Sequence, residues 1–151
     1  GATEAGRVLN NGNVTFNNSV TATGGFVGNL TGTASGNVVF VPGTIVKTTF
    51  AAANNVTAAT NVTGAAFSNA VVRSFVMMVD VILSATTPAY ENFTIEGIQR
   101  GADWTISVSS IGDNSGVIFS ITSAGQIQYQ SANAPGFTAL SITFKANVLG
   151  V

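Results

Sequence analysis

The chain has no cysteine and no histidine, and only 7% of its 151 residues are charged. Each shortage closes off chemistry. Without Cys there is no disulfide scaffold, no thiolate nucleophile and no zinc–thiolate site. Without His the commonest general base and metal ligand is gone. Ordinary soluble domains carry roughly 25% charged residues. Here Asn, Thr, Ser, Gln and Gly must cover the surface instead, which suits an assembled, protease-resistant β structure better than a cytosolic enzyme. The net charge of −1 has no sign to exploit. The five cations, Arg7, Lys47, Arg73, Arg100 and Lys145, are scattered. Nucleic-acid binding needs clustered cations that displace counterions, so no nucleic-acid partner is expected. An anionic membrane surface is equally poorly served. Ser74–Ala85 (SFVMMVDVILSA), the most apolar run, is shorter than a membrane span of about 20 residues. It also contains Asp80, so no membrane insertion is expected. The opening GATEAGRV lacks Met and reads as a cut end, and nothing else is set aside as a signal peptide.

What the chain does have is a degenerate octad repeat, GNVTFNNSVTATGGFVGNLTGTASGNVVFVPG, from Gly12 to Gly43. Its third position is always apolar: Val14, Ala22, Leu30, Val38. Its second is Asn13, Thr21, Asn29, Asn37. Such self-similarity marks an array. Eight extended residues reach only about 26 Å. Each block offers few apolar side chains and spends positions on Gly, so one copy cannot offset the entropy of ordering its own backbone. Disordered segments are usually rich in charge or Pro. This one carries no charge between Arg7 and Lys47, and Val, Thr and Phe favour strands. The expectation is an intertwined β shaft of three chains, with the third-position side chains inside. Val8 and Leu9 are placed to pair with it.

Pro42-Gly43 ends the repeat. Thr44–Phe50 alternates as a strand does. Ala51–Ala66 is a second low-complexity stretch; its alanines suggest helix, but the recurring Asn-Val-Thr and Gly64 favour irregular extended chain. From Phe67 the texture is that of an antiparallel β domain. Ala70–Ala85 is apolar in both phases, so burial on both faces is expected: a core on one side, a neighbouring subunit on the other. Tyr90–Gln99, Trp104–Ser110, Val117–Thr122, Gln126–Gln130 and Phe137–Val148 follow at short, regular spacing, separated by turn residues. The chain is thus divided into a shaft (1–43), a connecting segment (44–66) and a small antiparallel β-sandwich, jelly-roll-like head (67–151).

Catalytic constellations are lacking. The six acids are Glu4, Asp80, Glu91, Glu96, Asp103 and Asp113. Glycosidases need two carboxyl groups about 5–9.5 Å apart. Glu91 and Glu96 fall on opposite faces of a regular strand, and Asp103 and Asp113 at opposite ends of one. Gly112–Gly116 (GDNSG) lacks the alternating carboxylates and distal Glu of a helical calcium loop and reads as a turn. No Ser has a His or a Lys partner in a motif. The sequons at Asn13, Asn17, Asn29, Asn55, Asn61 and Asn92 follow from an Asn/Thr-rich composition. Tyr90, Trp104 and Tyr129 could stack on sugar rings if exposed, but Trp104 reads as the core residue of its strand. No catalytic residue, cofactor or metal is expected. The residues placed for surface contact are on loops: Arg100, Asp103, Asp113, Asn114, Asn133 and Phe137.

The phrase VTFNNSVTATGGFVGNLTGTASGN resembles the shaft segments of bacteriophage tail fibres, especially those of marine phages. YENFTIEGIQRGADWTISVSSIGDNSGVIFSITSAGQIQYQS is similar to C-terminal domains of the same kind of fibre. The likeness covers roughly Gly12–Asn37 and Ser74–Val148; the middle, Thr44–Asn69, has no counterpart in it. It implies a homotrimeric virion appendage, a structural protein rather than an enzyme, with the C-terminal domain distal. The implied partners are other copies of the chain, other virion proteins and a host-surface glycan or protein. A capsid or virion decoration protein without a receptor role, a carbohydrate-binding tailspike fragment and a bacterial trimeric adhesin stalk are the alternatives.

Overall fold

The computed structural model describes residues 6–8, 14–16 and 43–151. The chain divides into two compact units, Gly1–Asn37 and Val38–Val151. In the first, β1 (Gly6–Val8) pairs antiparallel with β2 (Val14–Phe16), placing Val8 opposite Val14. The rest of the octad repeat up to residue 42, and with it the shaft expected there, lies outside the described residues.

The second unit is all-β among its described residues. Its strands are β3 (Ile45–Ala52), β4 (Thr60–Ala66), β5 (Val72–Ser84), β6 (Ala89–Arg100), β7 (Asp103–Gly112), β8 (Val117–Ile121), β9 (Gln126–Ser131) and β10 (Ala139–Gly150). They form two antiparallel sheets, a five-stranded one ordered β3-β10-β5-β6-β7 and a three-stranded one ordered β4-β9-β8. The segment 44–66, expected as a connection, supplies a strand to each sheet. Its β3 lies against β10 with Ile142 opposite Phe50. Its β4 is irregular: the pairing with β9 breaks between Asn61 and Ala66, and Gly64 turns at φ +88°, a conformation that costs other residues dearly.

One core joins the sheets. From the five-stranded side come Phe75, Met77, Val79, Val81, Phe93, Ile95, Ile142 and Phe144; from the other come Val62, Val117, Phe119, Ile127 and Tyr129. Fully burying each such side chain is worth roughly 1.5–3 kcal/mol. Edge-to-face pairs bridge the layers, Phe93 with Phe119 at 5.1 Å and Phe50 with Tyr129 at 5.6 Å. Trp104 is buried as expected, and its indole N–H donates to Asn69 Oδ1 at 2.7 Å.

β5 departs from expectation in two ways. Its inward phase, Phe75 to Leu83, is core, but the outward phase is open: Val76 is 44% exposed, Met78 48% and Ile82 44%. Two-sided burial is therefore absent in the single chain. Val72, expected in the phase of Ser74 and Val76, is buried with the core instead. The cause is a register shift: Leu149 lies opposite Ser74, but Gly150 lies opposite Val72, so Arg73 is an extra residue. Such a bulge flips the alternation on one side of it.

Candidate functional site

The sandwich offers two surfaces: a loop end and an open sheet face. At the loop end, the turn at 85–88, the loop at 113–116 and the loop at 132–138 converge around a cleft of about 600 Å³. Thr86, Asn114, Ser115, Asn133 and Pro135 are among its lining residues, and none of the lining residues is charged.

Side chains and main chain build this end together. Glu91 lies in β6, half-buried, and its Oε2 accepts from Ser115 N at 2.8 Å and Ser115 Oγ at 2.6 Å. Asp113 Oδ2 accepts from Tyr90 N at 3.0 Å, while Asp113 N donates to Tyr90 O at 2.9 Å. Asn114 Oδ1 accepts from Gly116 N at 2.9 Å. The loop at 132–138 is held by Asn54: its Nδ2 donates to Asn133 Oδ1 at 3.2 Å, and its Oδ1 accepts from Ala134 N at 2.9 Å. Thr86 N donates to Pro135 O at 3.1 Å. Hydrogen bonds to ionised acceptors are the stronger kind, worth roughly 1.5–3 kcal/mol. Both carboxylates at this end thus hold loops by accepting from backbone N–H groups.

The six residues expected at the surface fall into two groups. Asp113, Asn114, Asn133 and Phe137 belong to the loop end, where Asn114 and Asn133 share the cleft. Phe137 is half-buried and packs against the core. Arg100 and Asp103 are opposite one another at the far end of the β6–β7 hairpin. A strand rises about 3.3 Å per residue, so β6 separates the two ends by about 36 Å. One small ligand cannot touch both. Glu91 and Asn54 were not foreseen as loop supports; their partners lie 24 and 79–80 residues away in sequence, beyond any local signal.

Among the described carboxylates, Glu91 and Asp113 share the loop end, accepting from Ser115 and from Tyr90 N; Asp80 and Glu96 lie on the outer sheet face, and Asp103 at the far end of β7. Among the described residues no group of three or more His, Cys, Asp or Glu is placed to hold a metal ion.

The second surface is the outer face of the five-stranded sheet. Cross-strand register puts Met78 beside Thr94 and Lys145, Ile82 beside Tyr90 and Ser141, and Ser74 beside Ile98 and Leu149. Tyr90 is 61% exposed and Leu149 69%. Beyond Ile106, β7 is exposed on both faces, Ile111 included. Scattered exposed apolar residues are ordinary, but a contiguous patch beyond a few hundred Å² marks an interaction surface.

No family model matches the chain, and no curated protein matches it. Among solved structures it is similar to the tailspike protein of Acinetobacter phage vB_ApiP_P1, at 14% identity and a TM-score of 0.46. The match covers 91% of this chain and 26% of that one, so the chain spans about a quarter of the tailspike's length.

Proposed function

We propose that the chain is a non-enzymatic structural subunit of a virion fibre, assembled as a homotrimer and presenting the loop end of its sandwich for attachment to a host surface. The observation that carries this reading is the open outer face of the five-stranded sheet, apolar at Val76, Met78, Ile82, Tyr90 and Ile98 in a chain with few charges to keep it soluble. Such a face calls for a covering partner. The octad repeat, whose sequence offers too few apolar side chains for a core of its own, makes the same demand. The likeness of the repeat and of residues 74–148 to phage fibre segments supports an assembly on a virion, with other virion proteins as its neighbours.

Attachment would act by multivalency. Three copies of one weak site on a rigid stalk raise effective concentration without high affinity at each site. Asn114, Asn133 and the hydroxyl of Thr86 are the groups the cleft offers to a glycan or protein on the host. The carboxylates nearby are engaged as loop supports, which favours binding over hydrolysis. Light scattering on the purified chain tests the assembly: three times the 15.3 kDa chain mass is expected, and a folded, stable monomer would overturn it.

A further inference from the structure

The outer sheet face is not only apolar; its charges are sorted across the strands. Lys47 on β3 and Lys145 on β10 lie on one side. Asp80 on β5 and Glu96 on β6 lie on the other. Lys47, Lys145, Met78 and Asp80 line one shallow cleft, which places Lys47 on the same face as the rest. Arg100 and Asp103, opposite one another at the hairpin end, offset each other, and Arg73 sits at the bulge, outside the regular register. The face therefore has a cationic half, β3-β10, and an anionic half, β5-β6, with Val76, Met78 and Ile82 between and around them.

We propose that this face is where neighbouring copies of the chain meet, around an axis running along the strands, with Lys47 and Lys145 of one copy set against Asp80 and Glu96 of the next. The inference rests on the assembly reading above and adds the surface and its register. Two observations support it. The first is size: thirteen residues of β5 at about 3.3 Å each, by four strand spacings of about 4.8 Å, give about 800 Å². Around a three-fold axis that area is shared between two neighbours, about 400 Å² to each, so each copy buries in all about the 800 Å² that one partner gives up in a standard interface. The second is complementarity. Rotation about an axis along the strands brings unlike halves together, whereas turning one copy end over end sets cations on cations. Like charges across an interface are costly and fix register by exclusion.

The test uses the full chain. Lys47→Glu with Lys145→Glu makes both halves of the face acidic apart from the offset Arg100–Asp103 pair; Asp80→Lys with Glu96→Lys makes both halves basic in the same way. Each pair is expected to weaken association at least about tenfold at low salt, and the fourfold exchange to restore it. Met78→Glu is expected to give a folded monomer, since Met78 is exposed within one chain. The chain's only two methionines give an independent readout on unmutated protein. Met77 is fully buried in the core, while Met78 faces outward. Peroxide oxidation followed by mass spectrometry should find both protected in the assembly, and Met78 alone oxidised in the charge-reversed variants. If the wild-type chain assembles but Met78→Glu and both charge reversals leave its mass unchanged, this face is not the interface, and the assembly reading survives. If Met78→Glu dissociates it but the charge reversals do not, the proposed register falls. A monomeric wild type with Met78 freely oxidised overturns both readings. A monomer with Met78 protected means the chain covers its own face, which also overturns the proposal.

Discussion

Gly97 lies beneath the ring of Phe75, so close that a Cβ there would overlap the ring. Phe75 cannot yield easily, because it is stacked on Phe67 at 3.7 Å and 7°. Gly97→Ala is therefore expected to destabilise by about 1–3 kcal/mol, the usual cost of overpacking, although Ala is the better strand residue by roughly 0.5–1 kcal/mol. Thermal melting checks the sign. A second residue-scale test is Asn69, whose Oδ1 accepts from Trp104 and whose backbone O accepts from Gln99 Nε2 at 2.9 Å. Asn69→Ala leaves the largely buried indole donor unpaired and should cost about 1–3 kcal/mol in denaturant unfolding. The core position of Trp104 was legible from the alternation Trp104, Ile106, Val108. Its partner was not, because Asn69 lies 35 residues earlier in a stretch with no periodic pattern. The same holds for Tyr129, whose hydroxyl accepts from Ala53 N at 2.9 Å across 76 residues.

Among the elements, β4 is the least regular and the most dependent on one side chain. Gln126 Nε2 lies 2.9 Å from Val62 O, 3.0 Å from Ala65 O and 2.8 Å from Ile127 O, spanning the break in the β4–β9 ladder. Gln126→Ala is expected to raise amide exchange across Thr60–Ala66 at least about tenfold, a local opening that leaves β5 and β10 protected. Uniform exchange would contradict that role. Ala51–Ala66 was hard to read because its apolar residues are small and follow no period of two. Ala52, Val62 and Ala65 are its core residues, at no fixed spacing, and Gly64 interrupts the last two. β5 shows the opposite limit. Its two apolar phases were plain in the sequence, but alternation cannot say which face a single chain covers, nor see the bulge at Arg73 that brings Val72 inward. Strands β6, β8, β9 and β10 follow their alternation closely, with turns where Gly, Asn, Asp and Pro cluster, whereas β7 keeps it only as far as Ile106.

For the molecule as a whole, β3 and β4 make residues 44–66 part of the sandwich: β3 covers the edge of β10, and β4 that of β9. A fragment starting at residue 67 is expected to lack cooperative folding, because it exposes two strand edges and loses Val62 and Ala65 from the core. A fragment of residues 43–151 should retain the β circular-dichroism signature and a cooperative melt. The two candidate surfaces are ones that local sequence cannot assemble. The loop cleft joins Thr86, Asn114 and Asn133 from three connections, whereas Arg100 and Asp103 lie a full strand length away. The outer sheet face, apolar and charge-sorted, is the feature on which the reading of this chain as one subunit of an assembly turns. The most direct test is the solution mass of the full chain by light scattering with size exclusion. Three times 15.3 kDa, falling to one chain mass on Met78→Glu with the fold retained, is the expected result. A wild-type chain that is folded, soluble and monomeric at all concentrations would contradict it.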